Sequence, residues 1–224
     1  MERRYQFPWT WPVPLLFGAV LLASFTLLWT GITGERLALL GIPPRLAARM
    51  LLASLVGAAM NVPLVALRGE PRTLPRVIWS LGLPYLVQGV EEGRTVLAVN
   101  LGGAAVPLML SLRFLARTGW PWQMLAATGA VAAAGFLLAR PVPGVGIVIP
   151  FFVPPLVAAG AAFLLGGREG AAPILYVAGS LGTLAAHLLR LKDLPRLGST
   201  MVSVGGAGAV EGILLSGALA AVLA

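Results

Sequence analysis

Long stretches of this chain carry almost no ionisable residues. The segments 9–30, 124–139, 145–166 and 200–224 contain at most one each. A helix rises about 1.5 Å per residue, so about 20 apolar residues cross a hydrocarbon core of ~30 Å. Inside a bilayer only helices and closed barrels satisfy every backbone polar group. The sequence therefore predicts an integral membrane protein.

Composition agrees with this prediction and argues against nucleic-acid binding. Hydrophobic residues make up 58% of the chain and charged residues 11%. The net charge of +8 comes from basic residues at the ends of apolar runs, with no basic face of interleaved aromatic residues. Membrane topology and anionic lipid headgroups explain these charges better than nucleic acid does. Cysteine is absent, which excludes disulfides, thiolate metal sites and cysteine nucleophiles.

The apolar runs predict an all-α fold. We expect a polytopic transmembrane helical bundle with broken or re-entrant segments, built as a single domain over residues 1–224. About seven spans are predicted, at 9–30, 46–67, 95–116, 122–139, 145–166, 171–190 and 201–223. The segment 77–93 is apolar but is interrupted by Gly82, Pro84 and Gly89. It is interpreted as a re-entrant or interfacial segment or a short extended hairpin, in preference to an eighth span.

The distribution of Lys and Arg near the span ends predicts the orientation. One side receives ten basic residues, Arg3, Arg4, Arg68, Arg72, Arg76, Arg94, Arg140, Arg190, Lys192 and Arg196. The other side receives six, Arg36, Arg45, Arg49, Arg113, Arg117 and Arg168. Because basic residues are enriched in cytoplasmic loops, we expect a multi-pass inner-membrane protein with a cytoplasmic N-terminus.

Three apolar runs contain a polar residue or an acid beside helix-breaking residues. They are Asn61-Val62-Pro63, Asn100-Leu101-Gly102-Gly103, and Gly205-Gly206-Ala207-Gly208 followed by Glu211. Broken helices at membrane depth leave backbone groups that protein or a water-filled cavity must satisfy, so such breaks are candidate binding sites. The alternative is that these glycines and Pro63 only allow close packing or a kink. Asn61 and Asn100 are likewise open to two interpretations, hydrogen bonding between helices and contact with a substrate.

The last two predicted spans carry the most specific group of polar residues. Tyr176, Ser180, Thr183 and His187 share one helical stripe. Glu211 lies well inside an apolar run, where an acid costs about 2.5–3.5 kcal/mol at a helix centre, so it ranks first among the candidate binding or proton sites. Stripes of small residues on both spans predict that the two helices pack closely, which would let His187 or Thr183 reach Glu211. A single histidine excludes a multi-histidine metal site, and neither a metal nor a cofactor is expected.

Four sequence blocks resemble the signature blocks of an uncharacterised family of multi-pass membrane proteins of bacteria and archaea. The blocks are MNVPLV, AVNLGGAAVPLMLSL, GSLGTLAAHLLRLKDL and VSVGGAGAVEGILLSGALA, and the resemblance covers about residues 50–224. The family is a domain of unknown function, and related sequences often place Asp where this chain has His187 and Glu211. Two such acids would resemble the GxGD-type intramembrane aspartyl proteases. This chain lacks a Gly-x-Gly-Asp string and a second carboxylate in either span.

Three functional classes stay open at this point, and whether the chain is an enzyme is among the open questions. The first is a transporter or channel for a small solute or ion, with Glu211 as its binding or protonation site. The second is a membrane-embedded hydrolase that uses His187 and Glu211 for general acid–base chemistry. The third is a scaffold or assembly factor whose polar residues only hold helices together. The expected partners are membrane lipids and a small solute or ion, without nucleic acid, and a homo-oligomer stays open.

Overall fold

The computed structural model describes residues 42–68, 72–80, 83–91, 94–142, 146–191, 201–206 and 208–223, with isolated positions between 18 and 30. Most of the predicted span 9–30 therefore lies outside the described residues. The helices of the described part are α1 (Pro44–Gly57), α2 (Val106–Arg117), α3 (Pro121–Leu138), α4 (Val153–Leu189) and α5 (Val210–Leu223). The strands are β1 (Asn61–Arg68), β2 (Arg72–Ser80), β3 (Leu83–Glu91), β4 (Arg94–Asn100), β5 (Arg140–Val142), β6 (Gly146–Val148) and β7 (Met201–Val204). A π-helical turn, Leu101–Ala105, joins β4 to α2.

Helix α4 is two helices that fold back on each other. Gly167 has φ 57° and ψ −153°, which interrupts the helical backbone. A Cβ added to Gly179 would lie 3.7 Å from the Cβ of Ala158, whereas residues this far apart in a continuous helix would be separated by roughly 30 Å. The halves, α4a (153–166) and α4b (168–189), therefore form an antiparallel hairpin. The break that the sequence predicted between spans 145–166 and 171–190 is confirmed.

Helices α3 and α4b run parallel and pack closely. A Cβ added to Gly170 would lie 3.3 Å from the ring of Trp120, near the start of both helices. Farther along, a Cβ added to Gly182 would lie 2.5 Å from the Cβ of Val131. Small residues let the two backbones approach, as in membrane helix pairs. The small residues of α4b around Gly182 thus face α3, and not α5 as the sequence had predicted.

Helix α5 runs antiparallel to α4b. A Cβ added to Gly179 would overlap the side chain of Ser216, and one added to Gly217 would lie 3.4 Å from the ring of Tyr176. The predicted close packing of these two helices is confirmed, with Gly179 as the contact residue on α4b. Helix α2 has the same direction as α5, since it begins beside the Gly205 turn and ends near Tyr176, where Phe114 makes an edge contact with centroids 5.6 Å apart.

The sheet overturns parts of three predicted spans. Strands β1, β4 and β7 form one sheet, with β1 antiparallel and β7 parallel to β4. The predicted spans 46–67, 95–116 and 201–223 are therefore wrong over the lengths that β1, β4 and β7 occupy, and the fold is not all-α. The reason is local: NVPLVALR and RTVLAVN are rich in valine, which favours strands. Pairing between the strands satisfies the backbone groups that a helix would otherwise satisfy internally.

The uncertain segment after β1 is a β-hairpin. Strands β2 and β3 pair antiparallel, from Arg72 opposite Glu91 to Ser80 opposite Leu83. Of the interpretations given for residues 77–93, the short extended hairpin is confirmed. Within the described residues, two helices, α3 and α4, are long and apolar enough to cross a membrane. Seven spans are thus not supported by helix length.

Candidate functional site

Two strand–turn–helix units lie side by side at one end of the helices. In the first, β4 leads through the turn Leu101–Ala105 into α2, and in the second, β7 leads through a glycine-rich turn into α5. Because β4 and β7 are parallel neighbours, their two turns meet. A Cβ added to Gly103 would overlap the carbonyl oxygen of Gly205, and Gly205 itself has φ 74°. The glycine-rich turn at Gly205–Gly208 separates β7 from α5, whereas Gly102 and Gly103 lie inside the π-helical turn that continues into α2.

Both of these turns depend on the absence of side chains. A Cβ added to Gly102 would overlap backbone atoms of Ser54 and Ala58 at the end of α1. A Cβ added to Gly206 would lie 2.6 Å from the Cβ of Ser203. Gly208 has φ 88°, in the left-handed region that favours glycine. The glycines named from the sequence therefore let α1 and the two turns pack backbone against backbone.

The side chain of Asn100 ties these pieces together. It is 1% exposed. Its Nδ2 donates to the carbonyl of Ala58 at 2.7 Å and to Oδ1 of Asn61 at 3.0 Å, and its Oδ1 accepts from the amide of Gly103 at 2.7 Å. Ser54 adds a hydrogen bond from its hydroxyl to the carbonyl of Gly102. The nitrogen and the oxygen of the Asn100 side-chain amide both bind other groups of the protein. This favours a role in packing over contact with a substrate. Asn61 is exposed.

The polar stripe on α4b is buried but does not converge on one point. His187 is 3% exposed, and its Nε2 lies 2.8 Å from the carbonyl oxygen of Ile147. Since a carbonyl only accepts, Nε2 carries the proton in this bond. Thr183 donates to the carbonyl of Gly179 within its own helix at 2.6 Å. Ser180 is fully buried, and Tyr176 lies against Phe114 near the far end of α2.

Glu211 lies in the first turn of α5, directly after the glycine-rich turn. The predictions that the chain breaks before Glu211 and that this residue lies near a helix start are confirmed, because α5 begins at Val210. Glu211 is half-buried. Within the described part of the chain no hydrogen bond or ion pair joins it to His187 or to any other residue. A carboxylate in the first turn of a helix is stabilised by the positive end of the helix dipole.

One carbonyl links His187 to the turn that precedes Glu211. The carbonyl oxygen of Ile147, which binds His187, would lie 2.7 Å from a Cβ added to Gly208. The amide of Ile149 also donates to the carbonyl of Gly208 at 3.0 Å. The end of β6 therefore lies between α4b and the glycine-rich turn. The structure brings His187 next to the start of α5 without pairing it with the carboxylate.

These turns and helices fall inside one known protein family. The sequence model of DUF1614, described as a protein of unknown function, matches residues 55–223. The chain belongs to the DUF1614 family. This confirms the resemblance to an uncharacterised family, while the similarity to GxGD-type proteases is not shown. No curated protein and no solved structure matches the chain.

The DUF1614 region and the start of α1 also enclose a cleft that sequence reasoning missed. It lies between α1, α2, α4b and α5, is partly open, and has a cavity volume of about 50 Å³. Its lining residues are Ile42, Ala47, Met50, Leu51, Ser54, Pro107, Leu110, Phe114, Tyr176, Ile213, Leu214, Gly217, Ala220 and Ala221. The sequence signal was the spacing of Pro107, Leu110 and Phe114 on one helical face, opposite the small residues of α5.

The described residues of this DUF1614 protein offer little for metal chemistry. Among them no group of three or more His, Cys, Asp or Glu side chains is placed to hold a metal ion. His187 already binds a carbonyl. Two features of the described residues remain as candidate ligand-binding sites, the half-buried carboxylate of Glu211 and the apolar cleft.

Proposed function

We propose that this DUF1614 protein is a multi-pass membrane protein. Support comes first from the outer surface of α3, which contains no ionisable residue. Trp122, Leu125 and Leu137 on this helix are 78%, 49% and 75% exposed. In a soluble protein, a helix as apolar as α3 is buried in the core. A helix on the surface of a soluble protein is polar on its outer face. Lipid is the solvent that suits an exposed apolar helix.

The directions of the helices support several crossings. Five helices, one of which is two joined at Gly167, make six helical segments in the described residues. The contacts given above make α1, α2, α3, α4a, α4b and α5 alternate in direction. In α1, α2 and α5 the 12 to 14 helical residues are shorter than a span. Each is continued by a paired strand or a glycine-rich turn, whose backbone groups the protein itself satisfies.

The positions of the basic residues agree with this arrangement. Arg45, at the start of α1, and Arg117, at the end of α2, belong to one end of the alternating helices. Arg168 follows Gly167 as the first residue of α4b, at that same end. Arg140 and Arg190 belong to the other end, where Arg190 donates to the carbonyl of Phe136. This division matches the two sides predicted from the sequence, with the second side in the cytoplasm of an inner membrane.

Within this membrane protein, we propose that Glu211 binds a small solute or ion or carries a proton. The observation that carries this assignment is a half-buried carboxylate with no hydrogen-bond or ion-pair partner in the described residues. It lies directly after the glycine-rich turn, where two strand–turn–helix units meet. Transporters hold ions at comparable interruptions of their helices. An acid at membrane depth that only stabilised packing would be expected to have a partner.

Glu211→Gln is expected to stop proton-coupled flux. Glutamine keeps the shape of the side chain but removes the titrating carboxylate. The test uses purified protein in vesicles loaded with a pH-sensitive dye, across which a pH gradient is imposed. Wild type should dissipate the gradient faster than protein-free vesicles, and Glu211→Gln should fall to the protein-free rate. The matched control is Glu169→Gln, at an exposed glutamate in the first turn of α4b, which should retain the wild-type rate.

Other outcomes of this experiment point to the other functional classes. If wild type and Glu211→Gln dissipate the gradient at the same rate, the proposed role of Glu211 is wrong. A parallel assay for cleavage of a model membrane peptide tests the hydrolase, which requires cleavage that depends on Glu211. The scaffold is the second candidate, because Asn100, Ser54 and Thr183 are all engaged in internal hydrogen bonds. It is favoured if the variants change only the thermal stability.

A further inference from the structure

We infer that the cleft between α1, α2, α4b and α5 binds one acyl chain of an anionic phospholipid. The inference rests on the proposed placement of the chain in a membrane and is independent of Glu211. Ser54 and Tyr176 carry the polar side chains of the lining. The hydroxyl of Ser54 is already bound to the carbonyl of Gly102. Near its Ser54 end the cleft therefore offers no free side-chain hydrogen-bonding group to a polar solute.

The lining of the cleft extends along the helix axis. On α5 its lining runs from Ile213 to Ala221, a rise of about 12 Å. The floor on α5 is formed by residues with little or no side chain, Gly217, Ala220 and Ala221. The ring of Phe114, which is 2% exposed, and that of Tyr176 form one wall. Long, narrow and apolar space suits a hydrocarbon chain better than a compact solute.

An arginine at the end of α2 favours an anionic headgroup. Arg117 lies one helical turn after Phe114, which lines the cleft, at the end of α2 that approaches the proposed membrane surface. Helix α2 contains no acidic residue, and Arg117 is exposed. Arginine recognises phosphate by paired hydrogen bonds and charge. A phosphodiester at Arg117 and an acyl chain beside Phe114 would belong to the same lipid molecule.

The surrounding surface supports a ligand that comes from the bilayer. On α2 the side chains of Leu108, Met109 and Leu112 are 44%, 62% and 55% exposed. On α1 those of Leu52 and Leu55 are each 46% exposed. In the proposed membrane these faces contact lipid tails, so a neighbouring cleft of the same chemistry is filled by a lipid tail. Arg117 then selects which lipid stays.

The test measures lipid that stays bound to the purified chain. Protein in detergent is incubated with equal amounts of phosphatidylglycerol and phosphatidylcholine that have the same acyl chains, and bound lipid is counted by native mass spectrometry. Wild type should retain one phosphatidylglycerol per chain in preference to phosphatidylcholine. Arg117→Gln should weaken this retention about fivefold. Arg168→Gln, which removes an exposed arginine from the same end of the molecule, should retain lipid like wild type.

A second pair of variants tests the cleft itself. Gly217→Leu should abolish retention of both lipids, because its Cβ has room beside Tyr176 and the rest of its side chain fills the cleft. Gly129→Leu is the matched control, since a Cβ there meets nothing within 4 Å. Equal retention of the two lipids, equal loss in Arg117→Gln and Arg168→Gln, or full retention in Gly217→Leu would overturn the inference. Release of the chain from membranes by alkaline carbonate would instead show that the membrane placement itself is wrong.

Discussion

Replacing Gly102 with alanine is expected to destabilise the fold severely. The new Cβ would overlap the carbonyl oxygen of Ser54 and would also lie 2.6 Å from the carbonyl carbon of Gly57. These are backbone atoms at the end of α1, and they cannot rotate away as a side chain would. Separating α1 from the turn would also break the hydrogen bond from Ser54 to Gly102. We expect a loss above about 4 kcal/mol, against a total stability of roughly 5–15 kcal/mol for a typical domain.

The measurement is thermal unfolding in detergent, together with the yield of monodisperse protein. Gly129→Ala is the control, because it makes the same chemical change in a helix where the added Cβ meets nothing within 4 Å. It should raise stability by about 0.5–1 kcal/mol, since alanine favours helix over glycine. A Gly102→Ala protein that unfolds within a few degrees of wild type would show that α1 does not pack against the turn as described.

Asn100→Ala is expected to destabilise the protein by about 3 kcal/mol. The substitution leaves the buried amide of Gly103 and the partly buried carbonyl of Ala58 without their hydrogen-bond partner. Each orphaned buried group costs about 1–3 kcal/mol. Asn61→Ala is the matched control, because Asn61 is exposed and loses a single bond to Asn100. Its cost should stay below about 1 kcal/mol.

Thermal unfolding of the two asparagine variants, in the same detergent, separates the roles of Asn100. If Asn100→Ala is as stable as wild type but has lost an activity or a ligand, the side chain serves function and the hydrogen-bond network is dispensable. If both variants lose the same small amount, the contact with Asn61 is the part that matters. A large loss confined to Asn100→Ala is the result that the buried network predicts.

The sequence predicted best where apolar composition and helix breakers agree. The predicted span 122–139 coincides with α3, Pro121–Leu138, to within one residue at each end. The break before Glu211 was also predictable, because three glycines within four residues cannot continue a helix without cost. The interruption at Gly167 lay between two predicted spans, beside the charged pair Arg168–Glu169, which favours a turn at a membrane surface.

Strands β1, β4 and β7 were missed because hydropathy does not distinguish a strand from half of a helix. NVPLVALR and RTVLAVN border or lie within apolar runs, and the partner strand that decides between the two states is distant in sequence. The same limit applies to the site. The sequence identified Asn100 as a polar residue beside glycines. Its hydrogen-bond partners, Ala58 and Asn61, are brought to it by tertiary packing. The cleft needs four helices at once, and no single helix revealed it.

The alternation of helices across a membrane is tested most directly by labelling from each side. The chain has no native cysteine, so single cysteines can be introduced at Gly119 and at Arg140, the exposed positions that flank α3. A membrane-impermeant maleimide is applied to intact cells and to inverted membrane vesicles. We predict that Gly119→Cys reacts in intact cells and that Arg140→Cys reacts only in inverted vesicles. Labelling of both positions from the same side would contradict the crossing of α3 and with it the multi-pass arrangement.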